Sequence, residues 1–402
     1  MYTAEHTTLP RAAGLRLAAR RLAVVGPALV VALVLMLLIV SRLGDYHGNP
    51  AGFILFGRNF VSHTHPPANA PVLSPMGYDG QFYWIEANDP LLLNRATVVD
   101  MVGPAGYHFQ RPAYPALAWL LSLGRRTLLP WSMLAVNVLA VLGLTVALAL
   151  YCRRRGWSVW WALAVGALPG LLMPTLRDLT DPLATCAMLG GLLAWSSGRR
   201  WWAAGLLALA ALSREPMAAA VAAVLVDGLV RAWRARGHRT QLRRIASRAW
   251  PPVILPAAAY AAWQLYIRLQ VPDVHGSVHV AASAAPAGAA TAFLSRLAPM
   301  LRGFGTAASA WEMVYVALML AGMLASIVIA RRGSALGVAA LLLSATLLVA
   351  PFDDQWVLSR YTAPLFGALL LAGLEQRSRP VKALCAGAAA MSMFLPWVIV
   401  GI

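Results

Sequence analysis

The sequence predicts an all-α, polytopic transmembrane helix bundle of about 11 spans, with one polar loop near its start. Three observations carry this expectation. Of 402 residues, 60% are apolar and 12% are charged. That balance excludes a soluble globular enzyme, a disordered chain and a disulfide scaffold. Apolar runs recur at close to the ~20 residues that one crossing requires. Basic residues punctuate those runs, 33 against 15 acids for a net charge of +18. A DNA-binding face would cluster them on one soluble element, so no nucleic-acid partner is expected.

The first apolar run, 22–40, follows Arg11, Arg16, Arg20 and Arg21. It is too long for the core of a cleaved signal and lacks a small-x-small exit, which predicts an uncleaved first span. A polar stretch, 43–112, comes next. The apolar segment 112–123 is marginal for crossing and suits a helix lying at the interface. Residues 43–131 therefore form one outer loop within a single integral membrane domain, 1–402. Further spans are expected near 132–151, 158–173, 179–196, 201–213, 216–233, 250–267, 311–330, 334–350, 360–374 and 383–400. A second outer loop, 268–310, is rich in Ala, Gly and Ser, with a weak helical pattern around Phe293–Leu301. No soluble domain and no internal repeat is visible.

With the N-terminus inside, 21 of the 33 basic residues fall on the inner side and 12 of the 15 acids on the outer side. The basic bias is the positive-inside rule. Acids do little for topology, so the outer balance of charges points to a structured polar region. Trp157, Trp160, Trp161, Trp201, Trp202 and Trp250 sit at span ends, as an interfacial belt does. The inner run Arg231 to Arg248 reads as an anchor to anionic lipid.

Five polar clusters lie on the outer side. In the first, Asp79 stands between Tyr78 and Gly80-Gln81-Phe82-Tyr83-Trp84, with Asp89-Pro90 following. A general base must be deprotonated yet partly desolvated, and aromatic neighbours offer that setting. Asp79 equally suits a helix N-cap. In the second, Gln110-Arg111-Pro112 places an arginine before the interfacial helix, as a phosphate ligand or a headgroup anchor. The third, Arg177-Asp178-Leu179-Thr180-Asp181, puts two acids three apart on one helical face, or one of them on a cap. The fourth is Arg214-Glu215-Pro216, where the two charges are neighbours able to pair. The fifth runs from Asp353-Asp354 to Arg360-Tyr361. Their shared side of the membrane is the main functional signal.

Other signals are thinner. Cys152, Cys186 and Cys385 lack metal or disulfide spacing and read as core residues. His63 with His65, and His275 with His279, have no companion carboxylate at ligand spacing. Walker A, dinucleotide and nucleophile-elbow motifs are absent.

Tyr78–Trp84 with Asp89-Pro90, Phe109–Gly124 with its Gln110-Arg111-Pro112 start, Arg177–Ala184 and Leu212–Pro216 together resemble the GT-C superfamily of membrane glycosyltransferases. Within it they look like bacterial polytopic proteins of cell-surface glycopolymer formation. The resemblance covers roughly 77–220. It implies an inverting glycosyltransferase at the outer face of a bacterial inner membrane, its N-terminus cytoplasmic. The donor would be a polyprenyl-phosphate-linked sugar in the lipid, and the acceptor a glycan, lipid or protein. Asp79 would be the catalytic base, with Glu86 or Asp89 as second acid. Arg111, Arg177, Arg214 or Arg360 would hold the phosphate. Asp178, Asp181 and Glu215 would position sugar hydroxyls or arginines. Tyr78, Gln81, Tyr83, Gln110 and Tyr361 complete the expected substrate surface. No metal and no cofactor is expected. A transporter or flippase for a lipid-linked sugar or anionic solute would use the same arginines without a base.

Overall fold

The computed structural model describes residues 9–94, 97, 108–271, 291, 293–295, 297, 307–348, 350 and 355–394. Most of the expected second outer loop, with His275 and His279, lies outside these residues, as do Asp353 and Asp354.

The described chain is helical. A long α1 (Leu9–Asp45) leads into the first loop, which holds α2 (Gly80–Asn88) and α3 (Ala113–Leu121). Next come α4 (Leu129–Arg154), α5 (Pro169–Thr175), α6 (Asp181–Ser196) and α7 (Arg200–Ser213). They are followed by α8 (Ala218–Arg234) and α9 (Arg239–Gln270). The last four are α10 (Ala307–Ala330), α11 (Ala335–Leu347), α12 (Gln355–Glu375) and α13 (Arg379–Ala390). The strands found are two short parallel ones in the first loop, β1 (Phe56–Gly57) and β2 (Val72–Ser74).

Among the described residues, five helical segments are long and apolar enough to cross a membrane: Ala23–Asp45, Leu129–Arg154, Glu215–Arg234, Ala310–Ala330 and Val357–Glu375. α11 is a shorter apolar helix. The remaining apolar runs take other forms. The run at 158–173 breaks at Ala167-Leu168, ahead of Pro169, into single turns and the seven-residue α5. α6 and α7 have 16 and 14 residues, about 24 and 21 Å at 1.5 Å per residue. α9 keeps 32 residues although Pro251, Pro252 and Pro256 lie inside it.

Local chemistry sets several boundaries. Pro130 and Pro182 enter the first turns of α4 and α6, where a missing N–H costs nothing. Arg153 and Arg154 end α4 and complement its negative pole. Ser334 caps α11 by accepting from the Gly337 N–H at 3.1 Å.

Packing forms two cores. The larger joins α1, α4, α6, α8, α10, α11 and α12. α12 is its axis: 89% of its apolar stretch is buried, against 28% for α1. At Gly170 an added Cβ would collide with the Ser359 carbonyl, so α5 lies directly on α12. The smaller core ties the first loop to the bundle through Ile54, Phe56, Trp84, Phe109, Tyr114, Met133 and Leu183. Burying Ile54 and Phe56 completely contributes roughly 1.5–3 kcal/mol each. Specific bonds add register: Asn137 Nδ2 donates to the Leu179 carbonyl at 2.8 Å, and Trp263 Nε1 to the Phe109 carbonyl at 2.7 Å. The polar residues described next lie where the two cores meet.

Candidate functional site

Asp79 is positioned by its glycines. Gly77 has φ +66°, the left-handed region in which a side chain is strained. A Cβ on Gly80 would approach the Arg177 carbonyl to 2.7 Å and the Ile54 carbonyl to 2.8 Å. The start of α2 is therefore pressed against the loop and against the turn between α5 and α6. Gln81 locks this arrangement. Its Oε1 accepts from the Gly57 N–H at 3.0 Å, and its Nε2 donates to the Met76 carbonyl at 2.9 Å. Both polar atoms of Gln81, expected at the substrate surface, are thus engaged by backbone groups of the first loop.

Asp79 occupies the N-cap position but makes no capping bond. Its side chain is 45% exposed, and Oδ2 stands 3.4 Å from Arg360 Nη2. Arg360 is the hub. Its Nε and Nη2 reach Asp181 Oδ2 at 3.2 and 3.1 Å, and its Nη1 donates to Tyr78 Oη at 3.0 Å. Asp181 also pairs with Arg214, which leaves the helical region at the end of α7. Arg214 lies 4.4 Å over the Tyr361 ring, and Arg177 lies 4.7 Å over the Tyr78 ring, both in cation–π contact. Side-chain exposure falls from 45% at Asp79 to 6% at Arg360 and 1% at Asp181. The array is an open acid backed by desolvated charges.

A second array adjoins it. Arg111 grips Glu215 through Nε at 3.0 Å and Nη2 at 3.2 Å, and its Nη1 donates to Tyr83 Oη at 3.0 Å. Glu215 therefore pairs with Arg111, and Arg214 with Asp181, which corrects the expectation of a pair between neighbours. The cause is backbone geometry: Arg214 is extended and Glu215 opens a short 3-10 turn, so their side chains diverge. Arg111 is 7% exposed and bound, not snorkelling to the interface. Burial raises the Tyr83 phenol above its ordinary value, Arg111 pulls it down and the Asp79 charge pushes it up. Tyr83 therefore senses both arrays.

The Arg177–Asp181 cluster is not one helical face. Asp178 has φ +49°, and α6 begins only at Asp181. The two acids consequently point to different partners. Asp178 is fully buried, receives a long 3.5 Å contact from Tyr114 Oη and leaves Oδ2 without a partner. Burial raises its carboxyl well above the ordinary range. Glu86 behaves alike: it is 3% exposed, its Oε1 has no hydrogen-bond partner, and burial raises it despite Arg111. In each case burial favours the neutral acid. Asp89, the other candidate second acid, is occupied. It accepts from the N–H groups of Leu93 and Asn94 at 3.0 and 2.8 Å and from Thr97 Oγ1 at 3.0 Å, closing the turn after α2. Gln110 is half-buried directly before Arg111.

The structure thus brings Tyr78, Asp79, Arg177, Asp181, Arg214, Arg360 and Tyr361 together, with Arg111, Glu215, Tyr83 and Glu86 alongside. Sequence reasoning missed His108 and Tyr114. His108 packs against Phe82 with ring centres 4.2 Å apart and the planes tilted by 34°. Burial lowers its imidazole to about 4, Asp79 pulling the other way. Its only sequence signal is its place two residues before Gln110-Arg111. Among the described residues no cluster of three or more His, Cys, Asp or Glu could hold a metal ion.

No family model matches the chain, and neither does any curated protein or solved structure.

Proposed function

We propose that the protein is a GT-C-type inverting glycosyltransferase that takes a sugar from a polyprenyl-phosphate donor and attaches it to a cell-envelope acceptor. One observation carries this reading: a half-exposed, uncapped Asp79 carboxylate 3.4 Å from the buried Arg360 guanidinium. The chemistry needs a carboxylate to take a proton and a fixed cation to hold a phosphate.

In the proposed reaction the donor enters sideways from the lipid. Its phosphate competes with Asp79 for Arg360, which lies farther from Asp79 than from its hydrogen-bond partners Asp181 and Tyr78. The released carboxylate takes the proton of an acceptor hydroxyl. The acceptor oxygen bonds to the anomeric carbon as the bond from that carbon to the phosphate oxygen breaks. The electron pair leaves with the lipid phosphate, which Arg360 and Arg177 stabilise. Attack opposite the phosphate inverts the centre. Asp181 and Arg214 hold Arg360 in place, while Arg111, Glu215 and Tyr83 line the acceptor side.

The proposed setting is a bacterial inner membrane with the N-terminus cytoplasmic and the site on the outer face. About 11 crossings follow if α6, α7 and the other short helices also span, sheltered by their neighbours. The polar arrays and the basic residues Arg153–Arg155, Arg231 and Arg248 then lie on opposite sides, in accord with the positive-inside rule.

A second reading, transport of a lipid-linked sugar or anionic solute, draws on the burial of Asp181, Arg214 and Arg360 inside the bundle. Purified protein in lipid nanodiscs, given polyprenyl-phosphate-linked sugar and a hydroxyl acceptor, separates the two. Transfer of the sugar supports the enzyme. Vesicle translocation of the donor with no transfer supports transport instead.

A further inference from the structure

We propose that the end of the bundle opposite Asp79 carries a phosphate-binding cleft, separate from the transfer site and independent of the reading given to it. A cavity of about 450 Å³ opens there, lined by Arg155, Trp195, Arg231, Arg248, Ser334 and Glu375 among others. It gathers the C-terminal ends of α4, α6, α8 and α12 with the start of α11 and the flank of α9.

The charges in this cleft do not cancel. Arg231 Nε pairs with Asp227 Oδ2 at 2.9 Å, and that oxygen also accepts from Trp195 Nε1 at 3.0 Å. Asp227 Oδ2 thus takes two donors. Glu375 Oε1 accepts from Tyr151 Oη at 2.7 Å and stands only 4.0 Å from Arg155 Nη2. Arg155 therefore keeps most of its donors, at 45% exposure. Arg248 has no carboxylate within ion-pair distance among the described residues. Its Nη2 donates to the Trp195 carbonyl at 3.1 Å, its guanidinium lies 5.2 Å over the Trp195 ring, and its Nε is buried with no hydrogen-bond partner. Stacking and the carbonyl bond fix this guanidinium at the wall of a polar cavity while one buried N–H is left to satisfy.

A planar arginine held this way, with Arg155 lining the same cavity, suits a phosphate that accepts from both. Ser334 and Ala335 at the start of α11 complete the wall, and Arg234 lies near Gly333 beside it. The phosphate has two sources, an anionic phospholipid headgroup and soluble inorganic phosphate. Basic pockets between helix ends on the positively biased side recognise such headgroups.

The test uses the full chain in nanodiscs of phosphatidylcholine with and without phosphatidylglycerol, reading lipid retained per chain by native mass spectrometry. Phosphatidylglycerol is expected to be retained over phosphatidylcholine. R248Q and, separately, R155Q are expected to lower that retention about tenfold, the loss of one charge-assisted contact. R244Q, an exposed arginine of α9 outside the cleft, is expected to change nothing. If inorganic phosphate binds alone and displaces the lipid with the same dependence on Arg248, the site stands and its source is soluble phosphate. Equal retention by wild type, R248Q and R155Q would overturn the proposal. So would an absence of headgroup preference together with no phosphate binding.

Discussion

Arg360 Nη2 lies 3.4 Å from Asp79 Oδ2, joining residues 281 positions apart in the chain. The same guanidinium lies closer to Asp181, at 3.1 Å. Asp181 is 1% exposed and Asp79 is 45% exposed. Arg360 is therefore anchored from behind by one acid and shared at the surface with another. This asymmetry makes Asp79 the displaceable partner and underlies the predictions.

Arg360→Lys keeps a positive charge but loses the planar fork that meets Asp181, Tyr78 and Asp79 at once. Donor affinity is expected to fall about tenfold or more, the loss of at least one charge-assisted bond. Equilibrium binding of a polyprenyl-phosphate-linked sugar measures it. Unchanged affinity would place the phosphate elsewhere.

The Asp181–Arg214 pair is a stability element. Asp181→Asn leaves the buried Arg214 and Arg360 without their shared carboxylate, and about 3–5 kcal/mol is expected to be lost, whereas Arg214→Gln leaves Asp181 paired with Arg360 and is expected to cost less. The apolar double replacement Asp181→Leu with Arg214→Met is expected to recover only the share of that loss due to Arg214, since Arg360 then keeps Asp79 as its acid partner. Thermal unfolding of the four proteins in one detergent gives the comparison.

Glu86 titrates above its ordinary range because it is buried. Its unfolded form ionises near the ordinary 4.5. The folded state therefore holds the proton over a window in which the unfolded state has lost it. The stability it contributes is present below 4.5 and is lost as pH rises through the higher folded value. Glu86→Gln is expected to raise the melting temperature at neutral pH and to leave it unchanged near pH 4. A melting temperature lowered equally at both values would show that the carboxyl itself is required by the fold.

His108 gives the opposite sign. Its folded value of about 4 lies below the ordinary 6.5. The neutral imidazole contributes stability above 6.5 that is lost as pH falls towards 4. The full effect of such a shift is about 3 kcal/mol. His108→Phe, which keeps a ring against Phe82, is expected to flatten stability across that window. An unaltered slope would assign the acid lability to another group.

The helical character was legible because lipid and core both demand apolar runs. The runs at 132–151 and 311–330 correspond closely to α4 and α10. Lengths were less legible: Pro169 and the start of α6 at Asp181 divide apolar runs by backbone geometry, which hydropathy does not register. The site was legible as a set of residues and not as a set of pairs. Asp79, Arg111, Asp181, Arg214, Glu215 and Arg360 stood out as charges beside apolar segments. That Arg214 selects Asp181 while Glu215 selects Arg111 depends on an extended residue between two helices. His108 and Tyr114 went unseen because an aromatic or a histidine among apolar neighbours reads as core.

The most direct measurement compares wild type and Asp79→Asn for sugar transfer from a polyprenyl-phosphate donor and, in parallel, for donor binding. The account predicts that Asp79→Asn folds and binds donor at least as well, since Arg360 loses a competitor. It predicts that transfer falls by roughly 10²–10⁴-fold, the range for a missing general base. Full transfer activity in Asp79→Asn would contradict the account and remove Asp79 from the chemistry.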